Sequence, residues 1–110
     1  MIHMLSSFNL RDGEDFATFR ADYTHFVEEL TEAGVITGAG PISTRLSDTP
    51  MDTDDDNPAQ VFSILSFRDR AHLDQAYAHI EARAALGTKS HIRMYMRLRD
   101  TVFTCWQDVE

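Results

Sequence analysis

The amino-acid sequence predicts one α+β domain over residues 1–110, in which a four-stranded antiparallel sheet carries both long helices on one of its faces. Three features predict it. Strand-like runs stand near both ends of the chain, two amphipathic helical stripes each follow such a run, and an interrupted extended stretch between them leads into a strongly apolar strand. The resulting order, β-α-β-β-α-(α)-β, is the split βαβ pattern.

Residues 2 to 9 read as the first strand, with Ile2, Met4 and Phe8 on one parity and His3 and Leu5 on the other. Asp12 is placed to cap the orphan amides of the first helix, with Glu14 and Asp15 in its first turn where the helix dipole favours acids. Phe16, Phe19, Tyr23, Phe26, Val27 and Leu30 then recur as a single stripe of helical period, and Gly34 ends it. From Val35 to Asp48 the chain is extended but broken by Gly38, Gly40 and Pro41, which suits a kinked edge strand.

Residues 48–58 form an acidic loop with Pro50 and Pro58 near its ends and no periodicity. Nothing in its composition requires order, and the fold is expected to survive its replacement by a short Gly/Ser turn. Gln60 to Phe67 is a strand that is apolar on both parities. Asp69 can cap a second helix with the stripe Leu73, Ala76, Tyr77, Ile80 and Ala84, which Gly87 breaks.

Residues 91–99 fit two periods. Ile92, Met94, Met96 and Leu98 alternate with Arg93, Tyr95, Arg97 and Arg99 as in a half-buried strand, yet Met and Leu favour helix and Thr88 or Ser90 can cap. A short helix is the preferred reading and a strand the alternative. Thr101 to Gln107, rich in β-branched and aromatic residues, is the last strand.

The composition, 43% hydrophobic and 25% charged, is that of a globular domain. A net charge of −8, with the basic residues scattered, repels a phosphate backbone and disfavours nucleic acid as a partner. No apolar run approaches the roughly 20 residues that span a bilayer, so no membrane partner is expected. The first residues lack the basic region of a signal peptide, and the single cysteine, Cys105, cannot close an intrachain disulfide; a cytoplasmic location is the expectation.

The element order, the chain length, the strand at the N-terminal end and the closing helix-then-aromatic-strand segment from His91 to Trp106, followed by Asp108, resemble the dimeric α/β-barrel superfamily, whose fold is ferredoxin-like. Within it, the chain resembles small bacterial families of unknown function. Members of the superfamily include cofactor-free monooxygenases of antibiotic biosynthesis, muconolactone isomerase, haem-degrading enzymes and stress-responsive proteins. None of their catalytic residues matches this chain position by position, so no site is carried over, and fold alone does not assign function.

The resemblance implies a homodimer and a ligand space between sheet and helices. The sequence supports the first independently. Val61, Leu65 and Phe67 oppose Phe62 and Ile64, and Val102 and Trp106 oppose Phe103 and Cys105, so both sheet faces are apolar while the helices cover only one. A second copy is expected against the uncovered face.

Candidate site residues are few. His3 alternates with apolar residues on a central strand and is expected to be partly buried. His91, in the segment that reads as a short helix or a strand, is the other catalytic candidate. Tyr23, Tyr77 and Tyr95 are expected on helical faces turned to the sheet, where a hydroxyl needs a partner, and with Trp106 and His3 they make the expected ligand-binding set.

No metal or cofactor is expected. Asp52, Asp54 and Asp56 have the spacing of a calcium loop, but Asn57 stands where its turn glycine belongs and Ser63 where its bidentate glutamate belongs. His72 and His79 are seven residues apart on the second helix, about 10 Å, too far to share an ion, and are expected at its boundary or surface. His25, among acids, is expected in solvent, Cys105 as a buried inert thiol, and Arg93, Arg97 and Arg99 as partners of the surplus carboxylates.

Three functional expectations follow. The first is a dimeric module binding a small apolar or aromatic molecule between sheet and helices. The second is a cofactor-free monooxygenase, isomerase or cyclase acting on a small aromatic or lactone-like substrate, with His3 and a tyrosine or His91 as acid and base. The third is a structural dimer without a ligand. Whether His3, a tyrosine and Trp106 meet in one enclosed cavity separates them.

Overall fold

The computed structural model describes residues 1–85 and 90–109, and the side chains of Ala84, Ala85, Ser90, His91 and Arg93 are outside that description, as is Gly87. The elements in chain order are β1 (Ile2–Leu10), α1 (Phe16–Glu32), β2 (Gly38–Ala39), β3 (Ser43–Thr44), β4 (Val61–Phe67), α2 (Arg70–Ala85), α3 (Ser90–Tyr95) and β5 (Leu98–Gln107). The domain is α+β with a ferredoxin-like fold.

β1 lies at the centre, antiparallel to β4 on one side (Ile2 opposite Phe67, Phe8 opposite Val61) and to β5 on the other (Ile2 opposite Gln107, Ser7 opposite Val102). The remaining edge is a correction to the four-strand count. Two short strands, not one, pair with β4, β2 at Ser66–Leu65 and β3 at Phe62–Val61. The break falls at Gly40-Pro41, where proline has no amide to give to the ladder. The kink expected there is therefore a full interruption.

One sheet face is the core. Ile2, Phe8, Val61, Leu65 and Phe67 pack against Phe19, Tyr23, Phe26 and Leu30 of α1, Ala76 of α2 and Met94 of α3. The Phe8 and Phe19 rings meet edge to face at 5.3 Å. The stripe expected for α1 is buried as the period requires, but its cap is Asp15, not Asp12. Gly13, at φ +83°, turns the chain so that the Glu14 amide reaches the Arg11 carbonyl, and Asp12 is spent in that turn. The Asp15 carboxylate takes the Thr18 amide at 3.0 Å, and Glu14 and Asp15 precede the helix instead of lying in its first turn. At the far end Gly34, at φ +73°, and Val35 send their amides back to Thr31 and Leu30, a Schellman closure that glycine makes without strain.

α2 faces the sheet along a different line from the one expected. His72 is almost fully buried, whereas Tyr77 is 67% exposed. The Asp69 carboxylate caps α2 through the His72 amide at 2.9 Å. The His72 ring accepts the Arg68 amide at Nδ1 (3.1 Å) and donates from Nε2 to the Gly34 carbonyl (2.8 Å). These two bonds fix the roll of α2, turning residues 72, 76 and 80 inward and Tyr77 out.

The segment 91–99 divides. It is helical to Tyr95, as preferred, and becomes strand at Leu98. Asp100, at φ +57°, sits where the β1–β5 register shifts between Ser7 and Asn9, and the Asn9 amide holds its carboxylate at 3.1 Å. Arg97 finds its acids within the chain, Glu14 at 2.6 Å and Asp22 at 2.9 Å, and ties α3 to α1. Cys105 is exposed, a further correction, because the helices stop short of the outer part of β5 and leave Phe103 and Cys105 open to solvent.

Candidate functional sites on the two faces of the sheet

The expected ligand-binding residues divide between the two faces. Alternation along the strands puts His3, Leu5 and Ser7 of β1, Phe62, Ile64 and Ser66 of β4, and Val102, Thr104 and Trp106 of β5 on the face away from the helices. Tyr23 lies in the core between α1 and the sheet, and Tyr95 stacks on Phe103 at 6.5 Å near the outer end of α3. Tyr77 is on the outside of α2, where its hydroxyl bonds Glu81 and is held above the usual tyrosine range by that carboxylate. His3, a tyrosine and Trp106 therefore do not share a cavity; His3 and Trp106 meet, with ring centroids 5.4 Å apart.

On the helix side, an opening of about 340 Å³ runs between α1 and the split edge. Tyr23, Val27, Ala39 and Ile42 line it, with Arg20 and Glu28 also on its wall. The Tyr23 hydroxyl donates to the Gly40 carbonyl at 3.4 Å, and burial pushes its pKa up against the opposing effect of a bond with Ser63. Polar groups at one side and apolar walls at the other are what a small amphipathic ligand requires.

On the open face, two strands and the segment just past β5 bring a serine, a histidine and an aspartate into a line. His3 Nδ1 is 2.8 Å from Ser66 Oγ, and His3 Nε2 is 2.9 Å from Asp108 Oδ1. Because the carboxylate can only accept, Nε2 carries the ring proton and Nδ1 accepts the serine hydroxyl. Neither Ser66 nor Asp108 is among the candidate site residues read from the sequence. They lie 63 and 105 positions from His3, and only the strand register shows that they meet it.

A third feature concerns residues 48–58, for which the loop's own composition shows no anchor. The loop wraps Arg45, whose guanidinium makes two 2.7 Å bonds to Asp52 and one of 2.8 Å to the Asn57 carbonyl, and also bonds the Asp54 carbonyl. An arginine fork matched to a carboxylate supplies the anchor that the loop's own composition lacks. The guanidinium holds Asp52 down at about 2, against 3.8 unperturbed. A carboxylate depressed in the folded state contributes stability above its unfolded pKa and loses it as pH falls to the folded one. The loop is thus expected to open between about pH 4 and pH 2, read as increased amide exchange at residues 49–57 while the helices keep theirs. The same opening is expected at pH 7 in Arg45→Met, detected as new cleavage by an aspartate-directed protease; an uncut loop there would show that Arg45 is not its anchor.

Among the described residues, no group of three or more His, Cys, Asp or Glu side chains is arranged to hold a metal ion, and no helix is long and apolar enough to cross a membrane. His25 is in solvent beside Glu28 (3.9 Å), and His79 lies 3.7 Å from Glu29 between the two long helices.

No protein-family model and no curated protein matches the chain in sequence. Solved structures do match in shape. A protein from Arabidopsis thaliana aligns over 100% of this chain and 97% of its own at 7% identity, with a TM-score of 0.73. A dimeric protein of unknown function and ferredoxin-like fold from Bacteroides fragilis aligns over 97% and 95% at 14% identity, with a TM-score of 0.58. An ethyl tert-butyl ether D (EthD) family protein from Bacillus halodurans aligns over 99% and 100% at 20% identity, with a TM-score of 0.51. At these identities the similarity is one of fold.

Proposed function

We propose that the chain acts as a homodimer that binds a small aromatic molecule on the helix side of the sheet, between α1 and the split edge strands. The opening beside Tyr23 carries this reading. Its volume, about 340 Å³, lies within the range of small-molecule sites, and one of its walls is the Tyr23 ring, whose hydroxyl bonds the Gly40 carbonyl. The dimer is supported by the apolar residues of the open face, and the Bacteroides fragilis protein of the same fold is itself described as dimeric.

p-Cresol, a phenol small enough for this volume, is a suitable probe. Titration followed by amide chemical shifts should move residues 23, 27, 39 and 42 together and saturably. Val27→Trp fills the opening with an indole and should abolish those changes while the fold persists. Shifts scattered over the surface, or unaffected by Val27→Trp, would remove the ligand and leave a purely structural dimer.

A further inference from the structure

We propose that Ser66, His3 and Asp108 form a nucleophilic centre on the open face of the sheet that cleaves small aryl esters. The observation is the line of hydrogen bonds itself. Ser66 Oγ donates to His3 Nδ1 at 2.8 Å, and His3 Nε2 donates to Asp108 Oδ1 at 2.9 Å. A hydroxyl within reach of an imidazole, which is in turn oriented by a carboxylate, is the arrangement that activates a serine, whichever ring nitrogen faces it.

The residues come from different places, β1, β4 and the segment just past β5, so no local motif forces them together. The Trp106 ring against His3 limits the rotation of the imidazole. Solvent still reaches the line, since the His3 side chain is 21% exposed and that of Asp108 is 51% exposed.

The chemistry balances without any other group. Ser66 Oγ bonds to the ester carbonyl carbon as its proton passes to His3 Nδ1. The tetrahedral adduct collapses, the bond to the phenol oxygen breaks, and the phenol leaves with the proton held by His3. Water then adds to the acyl-serine, with His3 taking its proton and returning it to Ser66 Oγ as the carboxylic acid departs. A phenol is a good leaving group, with an ordinary pKa of about 10, so such esters ask little of the acid. Trp106 offers their ring a flat surface to stack on.

The test uses the whole protein with an alkyl fluorophosphonate and with p-nitrophenyl acetate. One adduct on Ser66 is expected by intact mass and peptide mapping, together with burst release of p-nitrophenol. Ser66→Ala removes a single oxygen and should keep the circular dichroism while losing adduct and burst. His3→Gln should slow labelling by at least about 100-fold, the usual contribution of a general base. Asp108 acts through His3 as a positioning residue, so Asp108→Asn should slow labelling and Asp108→Glu should restore it. No adduct on Ser66 in the native protein, a label on another residue, or labelling indifferent to His3→Gln would each overturn the proposal.

Discussion

Ile64→Glu is expected to convert a particle of twice the 12.5 kDa chain mass into one of a single chain. Ile64 stands on the open face with Leu5, Phe62 and Val102, at least two residues along the strands from the Ser66–His3 line, and is 38% exposed, with Val102 at 50%. Leaving these side chains in water forgoes the roughly 25 cal/mol gained for each Å² of apolar surface removed from it. A two-fold copy laid face to face covers them at once, with an interface of order 1,200–2,000 Å². A carboxylate at residue 64 would sit near the middle of that interface in both copies, buried without a partner. The same residue packs against none of the core, so the monomer should keep its helices, and Ile64→Val should stay dimeric. Light scattering coupled to size exclusion at low micromolar concentration reads the outcome. A native protein of single-chain mass would refute the dimer itself.

The largest effect on stability is expected at His72. Replacement by phenylalanine keeps a flat ring, somewhat larger than imidazole, but orphans the Arg68 amide and the Gly34 carbonyl, both of which the imidazole bonds. Leaving a part-buried polar group unsatisfied costs at the lower end of about 1–3 kcal/mol when water can reach its residue, as at Arg68 and Gly34, so a loss of about 2 kcal/mol is expected, near 10 °C in melting temperature for a domain of this size. His25→Ala, in solvent, should change it by less than about 0.5 kcal/mol. A His72→Phe protein melting within a few degrees of the parent would show that neither bond matters to the fold.

The sequence carried the architecture because the architecture rests on periodic burial. The stripe from Phe16 to Leu30 and the double-sided apolarity of Val61–Phe67 follow from local geometry, and both held. What failed depended on contacts between distant residues. Tyr77 fits the apolar period of α2 as well as Ala76 does, but the helix is rolled by the bonds of His72 to residues 68 and 34, which no period displays. Asp12 and Asp15 are equal as caps until the turn at Gly13 uses one of them. The acidic loop reads as unanchored since its anchor, Arg45, lies outside it. At the sites, His3 was legible as a polar residue on a central strand. Its partners Ser66 and Asp108 were not, because an antiparallel register decides who stands opposite whom, and a shift of one residue would replace them both.

The interruption at Gly40-Pro41 bears on how the protein behaves in a crowd. A sheet edge is a row of free amides and carbonyls on which a foreign strand can grow, and growth needs several consecutive pairs in register. This edge offers two residues, a proline step, and two residues more, followed in the chain by a run of aspartates. An incoming strand would lose its register at the proline and meet like charges beyond it if it were acidic, as this chain is. Association along this edge is thereby cut short.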